Sequence, residues 1–236
     1  MKKTIFVLGI LIFSLLSTIN VNSFPNKQNT NFYQSFVNEE WNTTFGGTNI
    51  DEGYSVEQTS DGGYIITGYT RSYGAAGHNV WLIKTDSYGN EQWNKTFGGS
   101  EDDEGQSVQQ TSDGGYIIAG WTKSYGAVNK DLWLIKTGSS GNEQWNKIFG
   151  GTTDDAGTSV RQTSDGGFII AGYTSSSGAG SVDAWLIKTD SSGNQQWSKT
   201  LGGSSTDGAY SLQKTTDGGY ILAGWTMSYG PGPLLN

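Results

Sequence analysis

Four aspartates, Asp51, Asp103, Asp155 and Asp207, recur every 52 residues, and Glu52, Glu101, Asp102, Glu104 and Asp154 stand beside them. Carboxylates gathered in this way suit two chemistries. Hard cations such as Ca²⁺ take several oxygen ligands, so the four recurring aspartates are the chain's candidate metal ligands. Their spacing is neither that of an EF-hand nor that of the glycine-rich nonapeptide of calcium-binding β-rolls. The simpler reading is that each Asp caps its own Gly-containing turn by accepting backbone N–H groups. The second chemistry is glycoside hydrolysis by paired acids, for which acids are plentiful but their separations are not given by sequence.

Other catalytic constellations are scarce. His78 is the single histidine, so a Ser-His-Asp arrangement could be built in one place only; a lone loop histidine reads as a solvated residue. With no cysteine, disulfides, thiolate metal sites and cysteine nucleophiles are excluded together. "FGGTNIDEG" (Phe45 to Gly53) lacks the Lys-Ser/Thr of a phosphate-cradling loop. No catalytic residue is assigned. Asn42 and Asn94 stand in Asn-x-Thr sequons, meaningful only where the host glycosylates exported proteins.

These residues belong to a chain of 236 with net charge −8, and two charges more negative without Lys2 and Lys3. Such a surface repels nucleic acid and anionic lipid. Lys2 and Lys3 followed by the apolar run Ile5 to Leu16 and by Val21-Asn22-Ser23 have the layout of a secretory signal peptide over residues 1–23; an uncleaved anchor is the alternative. The run is short for a membrane span, and no later stretch could cross a bilayer. Residues 24–40, rich in Asn and Gln, read as a disordered leader. Glycine is abundant at 36 residues, but nine Trp and twelve Tyr accompany it, which marks turns between packed strands rather than disorder.

A period near 50 calls for a repeat architecture. One unit holds four strand candidates: Tyr54 to Thr59, Tyr64 to Thr70, Val80 to Thr85 and Glu91 to Phe97, short, rich in β-branched and aromatic residues and bounded by Gly, Asn, Asp and Ser. "SDGG" (Ser60 to Gly63) and "DSYGN" (Asp86 to Asn90) are hairpin turns, the Asp accepting from backbone and the Gly supplying positive φ. The expected fold is all-β, a β-propeller-like tandem of four-stranded blades, in units near 41–92, 93–144, 145–196 and a shortened 197–236. "WLIKT" occurs three times and the "DGGY/F" hairpin four times, so three full blades and two part-blades are expected as an open arc, a shortened member of a longer repeat family whose open blade faces favour self-association. Trp41, Trp93, Trp145 and Trp197, at fixed register in strands, read as inter-blade core rather than sugar platforms.

"TDSYGNEQW" (Thr85 to Trp93) resembles the Asp, Gly, Trp pattern of quinoprotein-type (PQQ-type) propeller repeats, in which the Trp docks blade against blade, with one residue fewer between Asp and Gly. "TSDGGYII" (Thr59 to Ile66) is similar to the first half of the Asp-box hairpin of sialidase-like propellers, without its closing aromatic. The unit, over Trp41 to about Tyr229, resembles tandem repeats of secreted bacterial and archaeal proteins, some with glycoside-hydrolase names such as endoglucanase. That resemblance implies a fold more than an activity. The loops Arg71 to Asn79, Lys123 to Asp131 and Ser175 to Asp183 keep one length while their residues differ; either these are surface positions left to drift, or the long-loop face is where a protein or glycan partner would bind. The expectation is an exported, non-catalytic binding or scaffold module, secreted or at the cell surface and without an assigned cofactor. The alternative is a propeller-based enzyme, a carbohydrate hydrolase or a quinoprotein-like one.

Overall fold

Every strand of the repeat is a short β-branched or aromatic run, and every run ends in a turn that its own residues specify. In "SDGG", Gly62 adopts φ 83°, and the Asp61 carboxylate accepts from the Gly63 N–H at 3.0 Å. The hairpin therefore closes from local residues alone, and it does so four times. The computed structural model describes residues 5–13, 36–126 and 128–228, and among these all regular structure is β, in sixteen strands.

Three four-stranded antiparallel sheets follow one another. The first is β3 (Asp51–Gln58), β4 (Tyr64–Thr70), β5 (Asn79–Thr85) and β6 (Glu91–Phe97). The second is β7 (Asp103–Gln110), β8 (Tyr116–Thr122), β9 (Asp131–Thr137) and β10 (Glu143–Phe149), and the third β11 (Asp155–Gln162), β12 (Phe168–Thr174), β13 (Asp183–Thr189) and β14 (Gln195–Leu201). A two-stranded sheet, β15 (Asp207–Lys214) with β16 (Tyr220–Thr226), comes last. Another, β1 (Ile5–Phe13) with β2 (Phe36–Phe45), comes first. These are propeller-like blades set as an open arc, not a closed barrel. The first strand of each sheet lies innermost, touching the first strand of the next sheet along β3, β7, β11 and β15.

Both faces of the middle strands are buried, as stacked sheets require. β5, β8 and β9 are buried at every residue, and the cores lie between sheets rather than within one. Ile65, Val80 and Leu82 of the first sheet share a cluster with Val108, Ile118 and Trp133 of the second. Trp93 and Trp145 of the outer strands join these cores, whereas Trp197, read as core from the sequence, is 38% exposed because no outer strand of a further sheet packs over β14 among the described residues. Trp93 packs on Tyr116 at 5.7 Å and Trp145 on Phe168 at 5.8 Å, ring centre to ring centre, and a Cβ on Gly141 would stand 2.6 Å from the Trp93 ring. Only glycine lets that ring seat on the turn.

Two boundaries differ from the sequence reading. The inner strand begins at Asp51 rather than Tyr54, because a bulge between Gly53 and Ser55 interrupts the alternation on which the reading relied. The apolar run read as a targeting segment contains β1, paired with β2 in the register that β5 keeps with β6. Ile5 faces Phe45 as Val80 faces Phe97, and Gly9 faces Trp41 as Lys84 faces Trp93, with the same slip one residue later. β2 itself starts at Phe36, within the span read as a leader. The cleavage point at Ser23 lies outside the described residues.

Candidate functional site

Each recurring Asp opens an inner strand and is buried. Asp51 accepts from the Thr70 hydroxyl, from the Ser72 hydroxyl at 2.7 Å and from the Gly47 N–H at 3.0 Å. Asp103 repeats the set with Thr122, Ser124 at 2.6 Å and Gly99 at 3.0 Å, as does Asp207 with Thr226, Ser228 and Gly203. The carboxylate thus ties the blade-to-blade loop to the long loop after the second strand. Burial raises the Asp51 carboxyl, but the bonds from Thr70, Gly47 and Ser72 outweigh it and hold it below its usual value. Asp155 keeps Ser176 at 2.7 Å and Gly151 at 2.9 Å. Its Oδ1 has no hydrogen-bond partner, because the Thr174 hydroxyl faces Ser177 at 3.4 Å instead. Among the described residues no three His, Asp or Glu side chains gather as a metal ion would need.

The hairpin side carries a second bracket that sequence reasoning missed. Lys84, Lys136 and Lys188 are buried in the runs "WLIKT". Each ammonium donates to the next residue's carbonyl at 2.8 Å, to Gln92, Gln144 or Gln196, and to the hairpin Asp at 2.9 Å. The bond from Thr59 and then the Lys84 ammonium pull Asp61 down to about 2. Asp113 also falls to about 2, burial being overcome by Thr111 and Lys136. The signal was a lysine fixed inside an otherwise apolar run, three times.

The inner wall of the arc is different. Its four innermost strands enclose a groove of about 580 Å³, into which β8 and β12 also send side chains. At one register stand Tyr54, Gln106, Thr158 and Tyr210; Trp121 and Tyr173 line the wall beside Glu104 and Lys130. The Lys130 ammonium lies 4.0 Å over the Trp121 ring. His78 is not a solvated loop residue. Its ring stacks on Tyr69 at 4.1 Å, and its Nδ1 is 3.1 Å from the Glu104 carboxylate, while its N–H donates to Asp102 at 2.9 Å. Burial pushes the Glu104 carboxyl up, offset in part by His78. Burial, then the charges of Glu104 and Glu52, push the Tyr54 hydroxyl up as well. Tyr69 rises to about 12, by burial and its bond to Glu52.

The long loops therefore divide their roles. Tyr73 and Tyr125 are structural: their hydroxyls donate to Gly46 and Gly98 carbonyls at 3.1 and 2.9 Å, and their rings lie on Trp81 and Trp133. Only the loop ends, His78 and Lys130, reach toward the inner wall. Glu104 stood among the candidate carboxylates, but Tyr54, Trp121 and Tyr210 were missed because they sit on strands that read as copies of one another. The available signal was their divergence: "EGYS", "EGQS", "AGTS" and "GAYS" at Glu52, Glu104, Ala156 and Gly208. The Asn94 sequon amide is already engaged, accepting from Trp81 Nε1 at 3.3 Å and donating to Glu91 at 2.6 Å.

The described residues thus define an all-β protein of propeller-like blades with one open groove on its inner wall. No known protein family matches the chain. Over 143 residues, 55% of this chain, it is 30% identical to the regulatory protein FlaEY of Caulobacter vibrioides and covers 14% of that protein. In structure it is similar to a protein of unknown function from Bacteroides caccae, with a TM-score of 0.49 and 13% identity, over 78% of this chain and 56% of that one. The chain spans only part of the length of either.

Proposed function

We propose that this protein is an exported, non-catalytic binding module, secreted or held at the cell surface, that takes a glycan into the groove on its inner wall. The observation that carries the reading is the divergence of otherwise near-identical repeats at the groove, where they supply Tyr54, Gln106, Thr158 and Tyr210 at a single register. Sugars present apolar C–H faces that stack on aromatic rings and hydroxyls that bond to amides, hydroxyls and carboxylates. Tyr54 and Tyr210 supply exposed ring surface, while Gln106 and Glu104 supply the polar partners; the Thr158 hydroxyl already donates to the Ala209 carbonyl at 2.8 Å. Concave surfaces where aromatic rings and polar groups converge are where ligands bind. The acidic chain disfavours nucleic acid. Among the described residues no helix is long and apolar enough to cross a membrane.

A glycan array followed by a reducing-sugar assay on the purified protein tests the reading. Binding without release of reducing ends, lost in Tyr54→Ala and Tyr210→Ala, is the expected result; no binding to any glycan would defeat it. One observation favours a carbohydrate hydrolase instead: Glu104 is a partly buried carboxyl, raised by that burial, on the wall of the groove, the condition of a general acid. Release of reducing ends, abolished by Glu104→Gln, would establish that second reading. Export is tested by N-terminal sequencing of protein from the medium. Phe24 is the expected first residue, so the mature protein would lack β1 and leave β2 without that partner; Met1 would contradict cleavage.

A further inference from the structure

The joint between consecutive sheets is built the same way three times. A residue from the inner strand of the later sheet enters against an isoleucine on the second strand of the earlier one: Val108 against Ile65, Val160 against Ile117, Leu212 against Ile169. All six are 0 to 2% exposed. The backbone is locked at the same place. The N–H groups of Val108, Val160 and Leu212 donate to the hydroxyls of Ser55, Ser107 and Ser159 at 3.3, 3.2 and 3.2 Å. Two residues on, Gln110 N–H donates to Glu57 at 3.0 Å and Gln162 N–H to Gln109 at 2.6 Å. The inner edge of each sheet, a row of backbone donors that could recruit another chain, is thus satisfied by side chains of the sheet before it.

The two ends of the described arc carry the two unmatched halves of that joint. On the last sheet, Ile221 holds the place of Ile65, Ile117 and Ile169, yet it is 61% exposed. Ser211 and Gln213, at the places of Ser55 and Glu57, are exposed beside it. On the first sheet, Val56 holds the place of Val108, Val160 and Leu212, and it is 55% exposed. Phe45 covers the outer part of this same face, packing with Ile66, Trp81 and Ile83, and leaves β3 open. Among the described residues the last sheet has the converse shape, the inner pair β15 and β16.

We propose that the arc joins head to tail with a second copy of this chain, the last sheet of one copy seating on the open inner half of the first sheet of the next, Ile221 against Val56. The occupant follows from continuity. The exposed surfaces repeat, residue for residue in register, an interface that the molecule already makes with itself three times. A joint of this kind is heterologous, so it propagates into a ring or a chain of copies rather than stopping at a symmetric pair. It does not depend on what the groove binds.

The experiment is sedimentation velocity on the full chain over a range of concentrations, with Ile221→Asp and Val56→Asp. Both positions are exposed, and thermal melts confirm that each variant folds. Wild type is expected to gain mass with concentration, and each variant alone to stay monomeric. Mixed, the variants are expected to form a one-to-one pair and nothing larger, because each keeps the half-joint that the other lacks. Wild type monomeric at every concentration, variants that associate as wild type does, or a mixture that stays monomeric would each overturn the proposal. An arc closed on itself, or covered by its own terminal segments, would give the first of these.

Discussion

Lys84, Lys136 and Lys188 perform one task three times on the hairpin side of the arc, whereas the residues at one register of the inner wall are Tyr54, Gln106, Thr158 and Tyr210. The first set is buried, closed by Asp, Gln and a backbone carbonyl, and any change to a lysine leaves those acceptors without their donor. In the second set Tyr54 and Tyr210 are exposed to an open groove, where a change costs the fold little, while the Thr158 hydroxyl also donates to the Ala209 carbonyl of the next sheet. In a repeat protein the sheets must match where they meet each other. Sameness therefore marks structure, and difference marks positions that the meeting of sheets does not fix.

The sharpest test of this contrast sets Asp103→Ala against Tyr210→Ala. Asp103 is fully buried and serves Thr122, Ser124 and the Gly99 N–H, so its loss should cost about 3 kcal/mol in denaturant unfolding. Tyr210→Ala should stay within about 0.5 kcal/mol of wild type while abolishing glycan binding. Next in size is Asp113→Ala, which removes the counter-charge of buried Lys136. Because Asp113 is half exposed, about 1–2 kcal/mol is expected rather than the value for a fully buried pair. Asp217→Ala removes the same turn bonds, from Thr215 and Gly219, at a hairpin without a lysine. Its melting temperature should fall much less. Equal losses at Asp113 and Asp217 would remove the lysine from the account.

Acid should separate the two regions by sign. Asp61 and Asp113 lie at about 2 in the folded protein, below the ordinary aspartate value of about 3.9. Their contribution is therefore complete above that value and disappears as pH falls through about 2. Glu104 is raised by burial, so its protonation relieves a cost and the folded state gains as pH falls through its titration. Urea midpoints across this range should show the Asp113→Ala deficit shrinking toward pH 2, and Glu104→Gln raising stability at neutral pH relative to low pH. The smallest effect expected is that of calcium: each recurring Asp is already enclosed by Ser, Gly and, in three of the four, Thr donors, and added Ca²⁺ should leave the melting temperature unchanged. A rise of several degrees, abolished by Asp103→Asn with Asp155→Asn, would reverse that expectation.

Much of the fold was legible because its rules are local. β4 and β6 fall where alternation, Gly and Asp place them, and the count of three full blades and two part-blades follows from the copies of "WLIKT". The inner strand was misplaced at its start because its bulge at Gly53 breaks the period of two. The candidate site was harder to see. His78 looked solvated because nothing in its loop announces Tyr69 and Glu104, which lie on neighbouring strands and meet it only through the stacking of one sheet on the next. Strand residues such as Tyr54 carried no mark of the groove, since burial of a strand's inner edge is decided by the curvature of the arc rather than by its own pattern.

The locks between inner strands have a further consequence. Each runs from a residue to the one 53 positions on, whichever pair of sheets is joined. A whole unit inserted or removed would therefore leave every lock with a correct mate, whereas a shift of one residue would break the locks of an entire joint. Genes for such chains can lengthen or shorten by duplication and loss of complete units without redesign of any interface. Substitutions at the few groove positions can then diversify what each copy contributes.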